Sequence, residues 1–196
     1  MQESVVQGRM NNPVMVVPGA LQPLLELANS VREVGLSPKT ADLVHLRAAQ
    51  INGCSYCVDM HSRDLREAGE TDERIFAVAA WWDAPYFSDA ERAALALAEA
   101  ATRLSDRPDP VPDEVFGEAT RYYDEPTLAA LIIEIALINF WSRTTVAVRQ
   151  VAGSGPGAKR QRHGTARLVA DRGRAELPRT PCLRTSENSP STHSGE

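Results

Sequence analysis

Between residues 13 and 152 large apolar residues return every three or four positions, the spacing of a buried helical face. Leu21, Leu24, Leu25, Ala28 and Val31 form the first such stripe, and Gly35 follows where a left-handed residue closes a helix. Ser37-Pro38 reads as an N-cap with proline at the first helical position; Val44, Ala48 and Ile51 mark the second helix until Asn52-Gly53 interrupts it. A third helix is predicted from near Cys54 to Gly69, and a short fourth from Thr71 with Ile75, Val78 and Ala79 inward. Ser88 and Glu91 form a capping box that opens an alanine-rich fifth helix to about Leu104. After the stiff Pro108, Pro110, Pro112 connection come a sixth helix over Asp113 to Tyr122 and a long, strongly apolar seventh opened by Pro126. No stretch alternates with period two between hairpin turns, so the fold class predicted is all-α, a compact multi-helix domain over 13–152.

The seventh helix is apolar on more than one face, with Ala129, Ala130, Ile133 and Leu137 between the main positions, which suits a central core helix or one shared between subunits. A homo-oligomer is therefore expected. Trp81, Trp82, Tyr86 and Phe87 fit either a pocket wall or the core, and core is the expectation.

At Gly153 the composition changes. Residues 1–152 hold 13 basic and 22 acidic residues, whereas 153–196 hold 8 and 4. The second stretch has few large apolar residues and no period, so it cannot bury enough surface to offset the entropy of ordering, and a disordered basic tail is expected. The net charge of −5, without a basic stripe in the helical part, argues against nucleic acid as a partner. No membrane association is expected either, because no run of about 20 uninterrupted apolar residues occurs. With no basic and apolar leader among the first residues, the expected location is cytoplasmic.

Three cysteines are too few for a disulfide scaffold, and a close pair in a reducing compartment is usually catalytic or metal-binding. Cys182, in the tail, reads as an incidental thiol. Cys54-Ser55-Tyr56-Cys57 sits at a helix start, where free backbone N–H groups and the helix dipole favour the thiolate, the nucleophilic form. Two cysteines three apart on a helix are neighbours and can close a disulfide. His61, four residues past Cys57, lies along the same stripe, which sets a base beside a nucleophile. A carboxylate to orient the base is still needed; Asp59 points elsewhere on the helix, and Asp42 is the candidate if the Asn52-Gly53 break folds the preceding helix back. The same residues, Cys54, Cys57, His61 and Asp42, could instead supply four zinc ligands in a non-enzymatic or redox-sensing oligomer.

The run from Asp42 through His45, Arg47, Gln50, Asn52, Gly53, Cys54 and Cys57 to His61 resembles the core of the alkylhydroperoxidase AhpD-like family, within the carboxymuconolactone decarboxylase superfamily. The Asp89–Glu99 stretch and Ile138–Arg143 extend the likeness across about residues 13–152. The resemblance implies an all-helical fold, often trimeric or built from trimers, that reduces a small hydroperoxide with an external dithiol as reductant and needs no bound cofactor or metal. It further implies Cys57 as the peroxidatic thiolate, Cys54 as the resolving cysteine and His61 as part of the proton relay. Two positions depart from the family's pattern. Asp42 stands where glutamate is usual, one methylene shorter, and Tyr56 stands where the peroxidase members carry a histidine. A phenol with a pKa of about 10 donates a hydrogen bond but is not the same base. The decarboxylase branch does not rely on the cysteine pair, so a thiol peroxidase or disulfide oxidoreductase is expected over lactone decarboxylation.

Overall fold

Polar caps and left-handed turns set the boundaries of the helices. In the computed structural model, which describes residues 7–154, the chain forms α1 (Pro13–Val16), α2 (Leu21–Arg32), α3 (Pro38–Ile51), α4 (Ser55–Glu67), α5 (Asp72–Ala77), α6 (Asp89–Thr102), α7 (Asp113–Tyr122) and α8 (Glu125–Ala147). A 3-10 turn, Val78–Ala80, follows α5, and no strand occurs among the described residues. The fold is all-α. Side chains of Thr71, Ser88 and Asp124 accept from backbone N–H groups in the first turns of α5, α6 and α8, and Ser88 with Glu91 completes the capping box.

Several boundaries differ from the sequence reading. The four-residue α1 is too short to show a period and was not anticipated; the Asn12 side chain, accepting from Val14 N–H, sets its start. The predicted fourth helix divides into α5 and the 3-10 turn, and the fifth stops at Thr102. Glu125, not Pro126, begins α8 because Asp124 is its cap and proline is tolerated in the first turn. Of the four aromatics assigned to the core, Phe87 is buried and Trp81 packs partly against it, whereas Trp82 and Tyr86 are exposed. The tail reading, including Cys182, falls outside the described residues beyond Ser154.

Helix α8 is the axis of the domain. Leu128, Ala130, Leu131 and Ile135 join Val44 of α3, Ala94, Leu97 and Ala98 of α6, Ala119 of α7 and Val31 of α2 in one cluster. Leu43, Leu46, Leu65, Ile75, Val78 and Leu95 form a second cluster on the other side of α3. By length and composition α8 could cross a bilayer, yet half of that stretch is buried inside the protein. Its polar residues are engaged there: Asn139 Nδ2 donates to Thr102 Oγ1 and Ile135 O, while its Oδ1 accepts from Asn52 Nδ2 at 3.0 Å. These contacts fix the end of α3 against α6 and α8.

A second polar anchor ties α3 to α6. Buried Arg47 donates through Nε and Nη2 to Glu99 Oε2 at 3.0 and 2.7 Å, and through Nη1 to Ala79 O. Trp81 Nε1 donates to the same carboxylate at 3.1 Å. Burial alone would raise the Glu99 pKa, but the Arg47 and Trp81 donors outweigh it and hold the carboxyl below its ordinary value. Arg92 binds the 81–87 loop from beneath, donating to the carbonyls of Trp81, Trp82, Ala84 and Phe87.

Two outcomes follow for stability. Leu95→Ala, at a fully buried position between α3 and α6, is expected to cost about 2–5 kcal/mol in equilibrium urea unfolding. A carboxyl whose folded pKa is depressed stabilises above its unfolded pKa of about 4.3, and that contribution disappears as pH falls through the folded value. Glu99→Gln should therefore cost about 1–3 kcal/mol at pH 7, and its gap from the wild type should close as unfolding is repeated at progressively lower pH below about 5.

Candidate active site

The backbone between α3 and α4 is a reversal in which one residue serves both helices. Gly53 adopts φ +64°, a left-handed conformation costly for other residues. Its N–H donates to Gln50 O at 3.2 Å, and Cys54 N–H donates to Ala49 O at 3.0 Å, the paired bonds of a Schellman closure. Cys54 is also the N-cap of α4, its sulfur accepting from Cys57 N–H at 3.3 Å. The carbonyls ending α3 and the first donors of α4 are thus satisfied around one cysteine.

Cys54 and Cys57 are joined by a disulfide, with Cα atoms 5.3 Å apart. Both are buried, in a cluster with Ala48 and Ala49 of α3 and Ile138 of α8, with Tyr56 packed partly against it. Ser142 of α8 places its hydroxyl 3.9 Å from Cys57 Sγ, so a buried donor faces that sulfur. A groove of about 380 Å³ opens beside Cys54, lined also by Gly53, Ser55, Thr145, Arg149 and Val151; Cys57 is not part of its wall.

Cys57, His61 and Leu65 form the buried stripe of α4. The reversal at Gly53 lays α3 beside this stripe. Asp42 Oδ1 comes to 3.8 Å from His61 Nδ1, and Asp64 Oδ2 to 3.7 Å, both beyond direct hydrogen-bond range. Neither His61 nitrogen has a hydrogen-bond partner among the described residues, although the ring is only 7% exposed. Burial lowers the His61 pKa, and the nearby His45 adds to this; the Asp42 and Glu134 charges oppose it without reversing the direction. His61 is accordingly a neutral imidazole at pH 7, able to accept a proton. Burial and the charge of Asp42 raise the Asp64 pKa. Asp59 instead pairs with Arg63 and accepts from Gly153 N–H at 2.9 Å, away from His61.

Two residues of this cluster were not singled out from the sequence. His45, one turn past Asp42 on α3, sits with its ring 4.8 Å from that of His61. Its Nε2 lies 2.9 Å from Oε2 of Glu134, a buried carboxylate on α8. Asp42, His45 and Glu134 line a cavity of about 330 Å³ with Leu36, Pro38 and Ala41. The visible signals were modest: a histidine at i+3 from Asp42, and a lone acid inside the apolar run of α8. Their meeting is a long-range contact that helical spacing does not report.

The site thus has two openings, a groove at Cys54 and a cavity walled by Asp42, His45, Glu134 and Arg32. The sequence model of the carboxymuconolactone decarboxylase family matches residues 18–100, the stretch that holds both cysteines and His61. The uncharacterized protein YdfG of Bacillus subtilis is 32% identical over 139 residues, 71% of this chain and 93% of its own. Alkyl hydroperoxide reductase AhpD of Acidobacterium capsulatum is 36% identical over 58 residues, 30% of this chain and 32% of its own. Among solved structures, an Agrobacterium tumefaciens protein proposed to be the antioxidant defence protein AhpD superposes with a TM-score of 0.69 at 29% identity, covering 74% of this chain and 98% of that one. With one relative matched over nearly its whole length and the family's core falling on the helices that build the site, the chain belongs to the carboxymuconolactone decarboxylase family as an AhpD-like member.

Proposed function

We propose that the chain is a thiol peroxidase that reduces small hydroperoxides through Cys54 and Cys57. The observation that carries this reading is the buried Cys54–Cys57 disulfide capping α4, with a neutral, unpaired imidazole one turn further along the same stripe. Once the pair is reduced, His61 accepts the Cys57 proton, and the start of α4 and the Ser142 hydroxyl stabilise the thiolate. The thiolate attacks the terminal peroxide oxygen, the O–O bond breaks, and the departing alkoxide takes the proton from His61 to leave as alcohol. Cys54 then attacks the Cys57 sulfenic acid; the S–O bond breaks, water leaves with the Cys54 proton, and the disulfide is restored.

An external dithiol supplies the two electrons for the next cycle. The groove beside Cys54 supports attack at that sulfur, which releases Cys57 as the leaving thiolate next to its base. The Asp42 and Glu134 carboxylates lie near His61 on its other side and favour the imidazolium while it exists. Exposed Ile132, Phe140 and Val146 on α8 support assembly into a homo-oligomer.

Hydroperoxide consumption in the presence of a regenerating dithiol tests the assignment. Cys57→Ser should abolish turnover, and Cys54→Ser should accumulate a Cys57 sulfenic acid detectable by trapping. Turnover that survives in Cys57→Ser would refute the reading. His61→Gln is expected to slow single-turnover oxidation by roughly 10²–10⁴-fold, the range for loss of a general base. Asp42→Glu, which adds the missing methylene across the 3.8 Å gap, should raise that rate severalfold in stopped-flow measurements of the reduced protein.

A further inference from the structure

The side chains around His61 on its α3 side have a charge and donor arrangement that proton transfer alone does not require. Three carboxylates, Asp42, Asp64 and Glu134, converge on two imidazoles, and among the described residues no Lys or Arg forms an ion pair with any of them. Glu134 Oε2 lies 2.9 Å from His45 Nε2, which leaves Nδ1 as the ring nitrogen on the Asp42 side. That nitrogen lies 3.8 Å from Asp42 Oδ1. His61 Nδ1 meets the same carboxylate oxygen at 3.8 Å and Asp64 Oδ2 at 3.7 Å. His61, buried and with neither nitrogen partnered, is aimed into this gathering of lone pairs.

We propose that Asp42, His45 and His61 form a binding site for a divalent transition-metal ion of the zinc class, with Asp64 available as a fourth ligand. The three donor atoms lie within 4.8 Å of one another. Zinc bonds of about 2.0–2.2 Å put tetrahedral ligand atoms about 3.3–3.6 Å apart, so the ion requires the two 3.8 Å approaches to shorten slightly and the imidazoles to close further. Asp42 is partly exposed and is free to adjust. Glu134 takes the part of the outer carboxylate that orients a ligating histidine and fixes its tautomer. Mixed nitrogen and oxygen donors select a zinc-class ion over magnesium or calcium, which prefer oxygen alone. The 330 Å³ cavity lined by Asp42, His45 and Glu134, with Arg32 also in its wall, gives the ion access.

This site needs no thiolate and is compatible with the closed disulfide, unlike a cysteine-ligated zinc centre. It shares His61 with the proposed proton transfer, so metal occupancy and peroxide turnover would compete for that imidazole.

Zinc chloride titrated into the oxidised full-length protein by isothermal calorimetry, in a Cys182→Ser background, tests the proposal. The expected result is one zinc per chain with micromolar or tighter affinity, weakened at least 10-fold by Asp42→Asn and by His45→Gln. Glu134→Gln should weaken it by about 10–100-fold. Circular dichroism melts of each variant establish that it is folded, and partly exposed Asp42 keeps the test open if His45→Gln does not fold. A Cys54→Ser/Cys57→Ser double variant should keep the affinity, and its cobalt(II) complex should lack thiolate-to-metal charge transfer. No saturable binding, binding unchanged in a folded Asp42→Asn protein, or binding lost only in the cysteine double variant would overturn the proposal.

Discussion

The chain reversal at Asn52-Gly53 is the constraint on which the site depends. A left-handed residue there closes α3, aims Cys54 N–H back at Ala49 O, and leaves the Cys54 sulfur to cap α4. Three consequences come from that one turn. The cysteine pair is held at a helix start, where the dipole favours a thiolate. The buried stripe of α4 carries Cys57 and His61 on one side. Helix α3 returns alongside, so residues 42 and 45 meet residue 61. A side chain at Gly53 would not clash, since nothing lies within 4 Å of an added Cβ; the requirement is conformational.

Around this turn the protein is held by polar contacts buried in an otherwise apolar domain. Asn139 and Ser142 of α8 reach Asn52 and Cys57, and Glu134 reaches His45, so the most apolar helix delivers polar groups to α3 and α4. The Arg47–Glu99 pair anchors the opposite side of α3. Such groups are costly to bury without partners, and most here have them. His61 is the exception that matters chemically: buried, neutral and unpaired, it has not committed its lone pair to structure.

Much of the fold was readable from local signals because those signals act locally. Ser88 with Glu91, Pro38, Gly35 and Gly69 act within a turn of their own positions, and α6, α7 and α8 appear within a few residues of the expected boundaries. The approach of Asp42 to His61 was also legible, since it required only that one break reverse the chain. The Glu134–His45 contact was not: 89 residues separate the partners, and helical spacing reports neighbours only three or four apart. Likewise the division of Trp81 and Phe87 from exposed Trp82 and Tyr86 is decided by how Arg92 gathers the 81–87 carbonyls, a tertiary effect with no local pattern.

The central claim is that the cysteine pair accepts two electrons from the dithiol and passes both to one peroxide. Reduced protein mixed with one equivalent of an alkyl hydroperoxide, quenched and analysed by peptide mass spectrometry, tests it directly. The account predicts that one equivalent of the alcohol appears as Cys54 and Cys57 lose their two thiol hydrogens and close the intramolecular disulfide. Peroxide left unconsumed while both thiols stay free would contradict it.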